Sequence, residues 1–337
     1  MRILIDIGHP AHANFFRNPA NILRKQGHTV IISVLHRGRL PKIVREEYPD
    51  FNIIKSGTYK SNKWSIIFQA NILRFFIQLY NVFNYKIDFG LSVGSFTLGA
   101  ALKIKGKKNI QFDDDPERGM NVFLERMTAT KIYFPPIIKE TKKISTYNAL
   151  KEWSYLSPKY FLANKTVLEK YKVKPKNYIF IREVQTKSLN YSGQNPDIIL
   201  GIADKIKNNI TVLLSLEDKS KALLYPKNWI ILKEPVDNIH SLIYFSTSVI
   251  SSGDSMAREG AMLGVPSIYA GYREMNANKI LIDKGMLVKK EPNEIPQFLN
   301  NIFEGKEQFE NQDLFRENLL NEWTDINELI INKVNNI

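Results

Sequence analysis

Residues 249–271 read VISSGDSMAREGAMLGVPSIYAG, which is a short apolar strand, a serine-glycine turn, a helix and a second strand in direct succession. The apolar run ends at Ser251, Asp254 or Ser255 can cap the helix, and Gly264 ends that helix before the next strand. This order is the repeating unit of a parallel sheet with helices on its faces. The stretch therefore predicts an α/β fold and places a helix start at the carboxyl end of a strand.

The same alternation of strands and helices runs through both halves of the chain. The first half opens with a strand over 2–7, a Gly-His-Pro turn, a helix over 15–25 and a strand over 29–35. Short apolar runs predict further strands at 51–54, 89–93, 109–112, 131–134, 178–182, 211–215, 229–232, 248–251 and 267–270. Helical spacing in the second half predicts helices at 196–207, 239–245, 254–263 and 276–284. Each half is therefore expected to form a doubly wound parallel sheet.

The length of the chain, 337 residues, suits two domains of ordinary size. We predict an N-terminal Rossmann-like domain over 1–165, a polar linker over 166–177 and a C-terminal Rossmann-like domain over 178–320. A final helix over 321–337 can pack back on the N-terminal domain. Two domains of this kind imply a cleft between them.

Composition narrows the class of protein. Apolar residues make up 44% and charged residues 24%, the balance of a folded globular protein. The absence of cysteine excludes disulfides, thiolate metal sites and a cysteine nucleophile. The first residues resemble a buried strand rather than a signal peptide. From both observations we expect a cytoplasmic protein. The net charge of +13 predicts an anionic partner, either a phosphorylated small molecule or an anionic membrane surface. The scattered lysines form no nucleic-acid-binding signature, so no nucleic-acid partner is predicted.

Residues 64–85, WSIIFQANILRFFIQLYNVFNY, form the most apolar stretch of the chain. Gln69, Arg74 and Asn81 interrupt it, so it does not span a bilayer. It is either a helix packed on the sheet or a helix that dips into an anionic membrane surface. The second alternative would place the protein at the inner face of a membrane.

The helix start within residues 249–271 is the predicted nucleotide site. Its backbone N–H groups and positive dipole end suit a diphosphate, and Gly253 lets phosphates approach the backbone. Glu259, about one turn further, can accept hydrogen bonds from ribose hydroxyls. Arg182 can contact a phosphate or pair with an acid such as Glu183. The structural alternative is that Ser, Gly and Asp are ordinary at such a junction and that an acid near a helix start is favourable by itself.

Two histidines follow the first strand, at the edge where an open α/β sheet binds ligands. His9 or His12 can take a proton from an acceptor hydroxyl, because imidazole titrates near neutrality. His9 is preferred because it lies on the turn. The alternative is a histidine that caps the helix or bonds to the backbone.

Three adjacent acids, Asp113, Asp114 and Asp115, follow another predicted strand. Such acids can orient an acceptor hydroxyl, act as a base or bind a cation. Asp115 followed by Pro116 is typical of a helix start, which leaves Asp113 and Asp114 as the catalytic candidates. Since no further acid or histidine stands at ligand spacing, no metal site is predicted.

These motifs also resemble known protein families. Residues 234–266 are similar to the donor-site region of GT-B glycosyltransferases, such as the peptidoglycan N-acetylglucosaminyltransferase, and of UDP-N-acetylglucosamine 2-epimerases. The whole chain more closely resembles an uncharacterised GT-B family, domain of unknown function three-five-four, in the stretches 5–16, 111–115, 147–156, 181–183 and 253–266. The resemblance implies the GT-B fold, two Rossmann-like doubly wound domains facing across a cleft, with a nucleotide-sugar site.

The resemblance also implies roles for individual residues. It places Ser252, Gly253 and Ser255 at the diphosphate, together with the neighbouring Met256. By the same resemblance Glu259 binds the ribose and Asp237 stands by a uracil-binding loop.

One residue departs from the pattern of the family. A Gly-Gly-Thr turn is expected where Gly253-Asp254-Ser255 stands, and an aspartate repels a diphosphate. Either Asp254 turns away as a helix cap, or it takes part in a weakened or altered donor site.

Together these observations predict a glycosyltransferase that uses a nucleotide-sugar donor, UDP-linked, to modify a glycan or lipid-linked acceptor in polysaccharide biosynthesis. The helix start would stabilise the charge on the leaving diphosphate without a required metal or other cofactor. One alternative is an enzyme like the non-hydrolysing UDP-N-acetylglucosamine 2-epimerase, with His9, Asp113, Asp114 and Arg182 around one ring carbon. Another is a catalytically inactive protein that retains nucleotide-sugar binding, which the departure at Asp254 favours.

Overall fold

The computed structural model describes residues 1–59, 68–185, 195–233, 236 and 238–336, with residues 68–70 described by their backbone alone. The chain divides into two compact units. Unit 1 is Met1–Tyr155 together with Trp323–Ile337, and unit 2 is the continuous segment Leu156–Glu322. Unit 1 therefore contains both ends of the chain.

Unit 1 is built on one parallel sheet, in which seven strands of the described chain follow the order β3-β2-β1-β4-β5-β6-β7. These strands are β1 (Arg2–Ile7), β2 (Thr29–His36), β3 (Asn52–Thr58), β4 (Phe89–Val93), β5 (Lys108–Phe112), β6 (Lys131–Phe134) and β7 (Ile144–Thr146). The helices are α1 (Pro10–Lys25), α2 (Leu40–Glu47), α3 (Arg74–Asn84), α4 (Phe96–Ile104), α5 (Gly119–Thr128) and, at the end of the chain, α13 (Ile326–Asn335), and a π-helical segment, Phe68–Leu73, precedes α3.

The inner strands of this sheet are buried on both faces, as expected of continuous Ile, Leu and Val runs in a parallel sheet. Leu4 of β1 and Ile31 of β2 pack with Leu98 and Leu102 of α4 in one apolar core. The strand order reverses between β1 and β4, which both pair with their neighbours in parallel register. In open α/β sheets ligands bind beyond the carboxyl ends of the strands at such a reversal.

Unit 2 repeats this architecture with six parallel strands among its described residues, in the order β10-β9-β8-β11-β12-β13. Its strands are β8 (Tyr178–Glu183), β9 (Thr211–Leu216), β10 (Ile230–Ile231), β11 (Ser248–Ser251), β12 (Ser267–Tyr269) and β13 (Leu287–Lys289). Its helices are α7 (Val167–Tyr171), α8 (Ile239–Tyr244), α9 (Asp254–Met262), α10 (Asn276–Asp283), α11 (Ile295–Phe303) and α12 (Gln312–Glu322), and α6 (Trp153–Leu156) runs from unit 1 into unit 2. Three 3-10 segments, Leu200–Lys205, Lys219–Leu224 and Pro292–Glu294, complete the unit. Here the strand order reverses between β8 and β11.

The strands predicted from the sequence are all present. The ends of β1, β4, β6 and β11 are as predicted and those of the other predicted strands are shifted. The two parallel sheets confirm the predicted doubly wound architecture. The short edge strands β7 and β13 were not predicted. The helix predicted over 196–207 is wrong, because the segment forms only the 3-10 turn Leu200–Lys205. The predicted linker over 166–177 lies within unit 2 and contains α7, whose Val167 and Leu168 are buried.

The apolar stretch predicted over 64–85 is described from residue 68 onwards, and its main part is α3, which packs against α4 and β3. Within the described part of the chain, no helix combines the length and the apolar character needed to cross a membrane.

Candidate functional site

The start of α9 lies at the carboxyl end of β11, where the strand order of unit 2 reverses. Gly253 is the N-cap residue, with an extended backbone of φ −108° and ψ 139°, and as a glycine it has no side chain to cap the helix. Ser251 holds the turn instead, because its Oγ donates to the Gly253 carbonyl at 2.6 Å and accepts from the Gly253 N–H at 3.1 Å. The first turn of α9 therefore follows a glycine, which has no Cβ to keep an anion from its N–H groups.

Asp254 does not cap α9, so the prediction that Asp254 or Ser255 caps this helix is wrong. The Asp254 carboxylate is buried, and its Oδ2 lies 3.1 Å from Nη1 of Arg258, one turn along the helix. Arg273 also approaches it, at 4.0 Å. Arg258 in turn donates to Oδ1 of Asn278 at 3.0 Å. The aspartate at the helix start is therefore compensated by a buried arginine.

The remaining residues of the predicted diphosphate set differ in accessibility. Ser252 is fully buried, and its Oγ accepts from the Val184 N–H at 2.9 Å, which ties the end of β8 to the end of β11. Ser255 and Met256 are partly exposed. The first turn of α9 therefore offers these two residues, rather than Ser252, to a ligand.

Arg182 pairs with an acid, as one of the two predicted alternatives required, but the acid is Glu217 instead of Glu183. Its Nη2 lies 2.5 Å from Oε1 of Glu217, and its Nη1 donates to Oγ of Ser215 at 2.7 Å. Glu183 points elsewhere and accepts from the Ile199 N–H at 2.7 Å. Burial raises the pKa of Glu183, because the charged carboxylate is removed from water.

Glu259 is buried in α9 and has a neighbour that the sequence did not predict. His240 of α8 places its Nε2 3.4 Å from Oε1 of Glu259. The ring of Phe161 lies edge-on to His240, with centroids 6.4 Å apart. Asp237, the predicted uracil-loop residue, lies outside the described residues, so its role stays a prediction.

His9 and His12, the two histidines that follow β1, bond to the backbone, as the structural alternative held. His9 is the N-cap residue of α1, and its Nδ1 accepts from the Ala11 N–H at 3.3 Å. Nδ1 of His12 accepts from the Gly8 N–H at 3.4 Å. A neutral imidazole that accepts at Nδ1 carries its hydrogen on Nε2. In this arrangement each ring can donate a hydrogen bond through Nε2.

His12 is surrounded by charged groups of unit 1. Burial lowers the pKa of His12 well below its ordinary value, His9 and Lys151 lower it further, and Asp114 opposes them. Asp114 is itself paired with Lys151, whose Nζ lies 2.5 Å from Oδ2. The predicted residues His9, His12 and Asp114 therefore share one edge of the unit 1 sheet, with His12 held neutral.

Asp113 is enclosed directly behind that edge and organises the loop after β5. Its Oδ1 accepts from the N–H groups of Asp114 at 2.8 Å and Asp115 at 3.2 Å, and it pairs with Arg118 at 3.0 Å. Burial raises the pKa of Asp113 to about 6, with Asp114 adding to the rise and Arg118 opposing it. The prediction that Asp115 starts a helix is wrong, because α5 begins at Gly119 and Asp115 pairs with Arg118 instead.

Glu125 was missed by the sequence analysis and lies beside Asp113. It is fully buried in α5, and neither carboxyl oxygen meets a hydrogen-bond donor among the described residues. Burial raises the pKa of Glu125 to about 9, and the charge of Asp113 contributes to the rise. Gly94, with φ +60°, passes so close that a Cβ there would lie 3.2 Å from Oε1 of Glu125. Near neutral pH one carboxyl of this pair therefore keeps a proton while the other is mostly ionised.

Asp6, at the end of β1, is a second buried acid that the sequence did not identify. Its Oδ2 lies 2.6 Å from Nη2 of Arg74, at the start of α3, and accepts from Oγ of Ser95 at 2.5 Å. Its Oδ1 accepts from Oγ of Ser33 at 2.8 Å. Because Ser95 follows β4, this cluster joins the two strands at the reversal point of the sheet. In the part of the chain that the structure describes, no three His, Asp or Glu side chains are arranged to hold a metal ion.

The profile of one protein family, described as Protein of unknown function (DUF354), matches residues 137–337. The chain belongs to the DUF354 family. This match covers all of unit 2, including α9, and the final helix of unit 1. The resemblance deduced from the sequence motifs is thereby confirmed.

An uncharacterised protein of Methanocaldococcus jannaschii is 29% identical to the DUF354 chain over 117 residues. That match spans 34% of this chain and 33% of the relative. Because that relative is itself uncharacterised, it adds no known activity.

Solved structures show the fold of this DUF354 protein. The UDP-GlcNAc 2-epimerase of M. jannaschii, in complex with UDP-GlcNAc and UDP, superposes with a TM-score of 0.70 at 13% identity and covers 100% of both chains. The spinosyn forosaminyltransferase SpnP superposes with a TM-score of 0.69 at 12% identity, covering 98% of this chain and 97% of its own. With the two parallel sheets, these likenesses confirm the predicted GT-B fold class. They place the DUF354 fold among those of sugar-transferring and sugar-epimerising proteins.

Proposed function

We propose that the protein is a glycosyltransferase that takes a sugar from a UDP-linked donor and transfers it to a glycan or lipid-linked acceptor. The observation that carries the proposal is the start of α9, a glycine-capped helix start at the strand reversal of unit 2. Backbone N–H groups in that position bind phosphate, aided by the helix dipole. Support also comes from the similar structures that were solved with nucleotides, as the epimerase with UDP was.

The start of α9 would act on the leaving group. As the bond between sugar and diphosphate breaks, negative charge builds on the diphosphate, and oriented N–H groups around Ser255 and Met256 would stabilise it. Asp254 does not oppose this, because Arg258 compensates its charge at 3.1 Å. The alternative of an inactive protein was based on the repulsion between Asp254 and the diphosphate. Since the charge of Asp254 is compensated, that argument no longer favours it.

Glu259 would select the ribose. Its carboxylate can accept from both vicinal hydroxyls of a ribose, while His240, at 3.4 Å, orients it. Arg182 and Asp237 remain proposed donor-site residues, the first after exchange of its bond to Glu217 for a phosphate oxygen.

The acceptor would bind at the carboxyl edge of the unit 1 sheet. There the exposed His9 and the neutral His12 can donate through Nε2, and Asp114 with Lys151 can orient an acceptor hydroxyl. Removal of the hydroxyl proton would fall to Asp114, because the histidines already accept at Nδ1. No step of this reaction is assigned to a metal.

Calorimetric titration with UDP, GDP, CMP and dTDP tests the donor site. We expect UDP to bind best and Glu259→Ala to weaken its binding by about tenfold or more, since hydrogen bonds to a charged group are lost. Glu274→Ala, which removes an exposed carboxylate paired with Lys289, is the matched control and should bind UDP normally. Equal binding by wild type and Glu259→Ala, or no binding of any nucleotide, would refute the proposal.

An epimerase is the second candidate, and the polar edge of unit 1 favours it. There His9 and His12, which accept at Nδ1, stand near the pair of Asp114 and Lys151, so proton donors and an acceptor gather at one place. Moving a proton off and onto a ring carbon needs several such groups. Incubation with UDP-N-acetylglucosamine and no acceptor separates the candidates: appearance of the 2-epimer identifies an epimerase, and slow release of UDP alone supports the transferase.

A further inference from the structure

Helix α3 is apolar on its exposed side as well as on its buried side. Val82 and the partly buried Leu79 pack in the apolar core of unit 1, beside the amides Gln78 and Asn81. These amides donate to Oγ of Ser33 at 3.4 Å and to the Lys55 carbonyl at 2.9 Å. The opposite face carries exposed aromatic rings, where a surface helix normally carries polar side chains, so it forms an apolar surface that a partner can cover.

We define the outer face of unit 1 as six exposed side chains on two helices. Phe76, Tyr80 and Phe83 of α3 stand three or four residues apart and so project from one side of that helix. Met120, Phe123 and Met127 of α5 do the same. Helix α4 packs against both α3 and α5, so the two rows flank it on one layer of helices.

The outer face lacks negative charge. Helices α3 and α4 contain no Asp or Glu, and the single acid of α5, Glu125, is fully buried. All residues of these three helices are described, so the exposed surface of the layer is free of carboxylates. A protein surface in contact with an anionic bilayer is expected to have this character.

Lysines gather where α3 and α4 end. Lys105 donates to the Val82 carbonyl at 2.8 Å, and its Nζ lies 5.6 Å from the centroid of the Phe83 ring. Lys103 donates to the Met127 carbonyl at 3.0 Å and so joins the row on α5. Burial is the larger cause that lowers the pKa of Lys105, and the nearby Lys107 and Lys86 lower it further. The carboxylate of Asp88, which lies 3.5 Å from Nζ of Lys107, opposes them, so these three lysines gather around one aspartate at this border. The apolar rows are thus bordered by cations.

From the charge and the exposed aromatic rows we propose that the outer face of unit 1 rests on the surface of an anionic lipid bilayer. The apolar rows enter the boundary between headgroups and acyl chains, and the lysines contact the anionic headgroups. A second copy of the chain is a poorer occupant. Two outer faces meeting about a twofold axis would bring lysines together without a carboxylate on these helices to pair with them.

The same helices reach the candidate acceptor edge of unit 1. Arg74 at the start of α3 pairs with Asp6, and Arg118 at the start of α5 pairs with Asp113. An acceptor anchored in the bilayer would therefore be presented to that edge, which is the part of the inference that rests on the proposed function. The membrane contact itself depends only on the outer face.

Vesicle flotation of the full-length protein, without any nucleotide sugar, tests the contact. We expect the protein to float with vesicles of phosphatidylcholine mixed with phosphatidylglycerol, to bind pure phosphatidylcholine weakly, and to lose binding in high salt. Phe76→Glu with Phe123→Glu should weaken binding about tenfold or more, since both rings lose their place in the bilayer. Leu223→Glu with Leu224→Glu, which adds the same charge at exposed positions of unit 2, should bind as the wild type does.

Three results would overturn the proposal. They are a wild type that stays unbound, a Phe76 and Phe123 double variant that binds like the wild type, and a wild-type dimer in light scattering that the same variant converts to monomers. Circular dichroism melting checks that the variant folds, and Phe76→Ser with Phe123→Ser replaces it if it does not. UDP titration of the same variants should be unchanged, which separates failure of the membrane contact from failure of the donor site.

Discussion

Helices α3 and α9 both turn polar side chains towards the protein interior, but for different purposes. In α9 the buried groups are charged, as in the pair of Asp254 and Arg258, and they stand beside a helix start at a strand reversal. In α3 they are the neutral amides Gln78 and Asn81, and the helix exposes aromatic rings on its other side. The buried charges of α9 thus stand beside the proposed donor site, while the buried amides of α3 stand opposite the face that we propose contacts a bilayer.

The largest effect is expected in α9. Arg258→Met leaves the buried Asp254 without its main partner and should lower the free energy of unfolding by about 3–5 kcal/mol. Urea denaturation measures the change. Combining Arg258→Met with Asp254→Asn removes the unpaired charge and should recover most of the loss. A single variant as stable as the wild type would show that the charges in α9 are not interdependent.

The second largest effect is expected from Glu125 in α5, which should make the free energy of unfolding depend on pH. Its pKa is raised to about 9 from an ordinary 4.5, so the folded state keeps a proton that the unfolded state releases. Stability is then fully present at acidic pH and falls as the pH rises towards the folded value, by at most about 1.4 kcal/mol per pH unit. Because Asp113 titrates with Glu125, we expect about 2 kcal/mol in all between pH 6 and pH 8.

Glu125→Gln should remove this slope. Urea denaturation of wild type and variant at a series of pH values supplies the comparison. Parallel stability curves for the two proteins would mean that Glu125 is not held neutral in the folded state.

A smaller effect is expected from the inner face of α3. Asn81→Ala loses the hydrogen bond to the Lys55 carbonyl, and we expect a loss of about 1–2 kcal/mol in unfolding free energy. Asn84→Ala, at an exposed position of the same helix, is the matched control and should change stability by less than about 0.5 kcal/mol. Equal changes in unfolding free energy for Asn81→Ala and Asn84→Ala would show that the buried amide of α3 does not stabilise unit 1, and the contrast with α9 would then be wrong.

The smallest effect is expected from the outer face. Phe76 is 58% exposed, so Phe76→Ser should alter the free energy of unfolding by less than about 0.5 kcal/mol. Replacing the buried Phe89 of β4 by Ser should cost several times more, which calibrates the measurement. A strong loss from Phe76→Ser would show that its ring stabilises unit 1 itself.

The architecture could be predicted well from the sequence, because strands and helices of this fold follow from short patterns of neighbouring residues. Strands such as β4 and β11 are apolar runs ended by Gly or Ser, and α9 follows a serine-glycine turn. Strands β7 and β13 escaped notice because their three residues, IST and LVK, mix apolar and polar side chains, whereas the even shorter β10 lies within an apolar run.

The candidate site was predicted less completely, because the role of each charged residue depends on which other side chain it pairs with in the folded protein. Asp254 and Arg258 stand four residues apart on a helix, a spacing that could have signalled their ion pair. Glu125 gave no such signal, since its partner Asp113 stands twelve positions earlier and only the packing of α5 beneath the loop brings them together. The neutral state of His12 likewise depends on burial and on neighbours from other segments.

The last helix, α13, belongs to unit 1 and packs on α1, with Asn327 donating to the Ser154 carbonyl at 2.8 Å and His28 meeting Asn335 at 3.2 Å. During synthesis the unit that begins to emerge from the ribosome first is therefore completed last. Unit 2, being continuous, has all its residues once Glu322 has emerged. A nascent chain stalled before Trp323 would carry a complete second unit and an unfinished first one, so the surface of α1 that α13 covers would be exposed until residues 326–335 emerge.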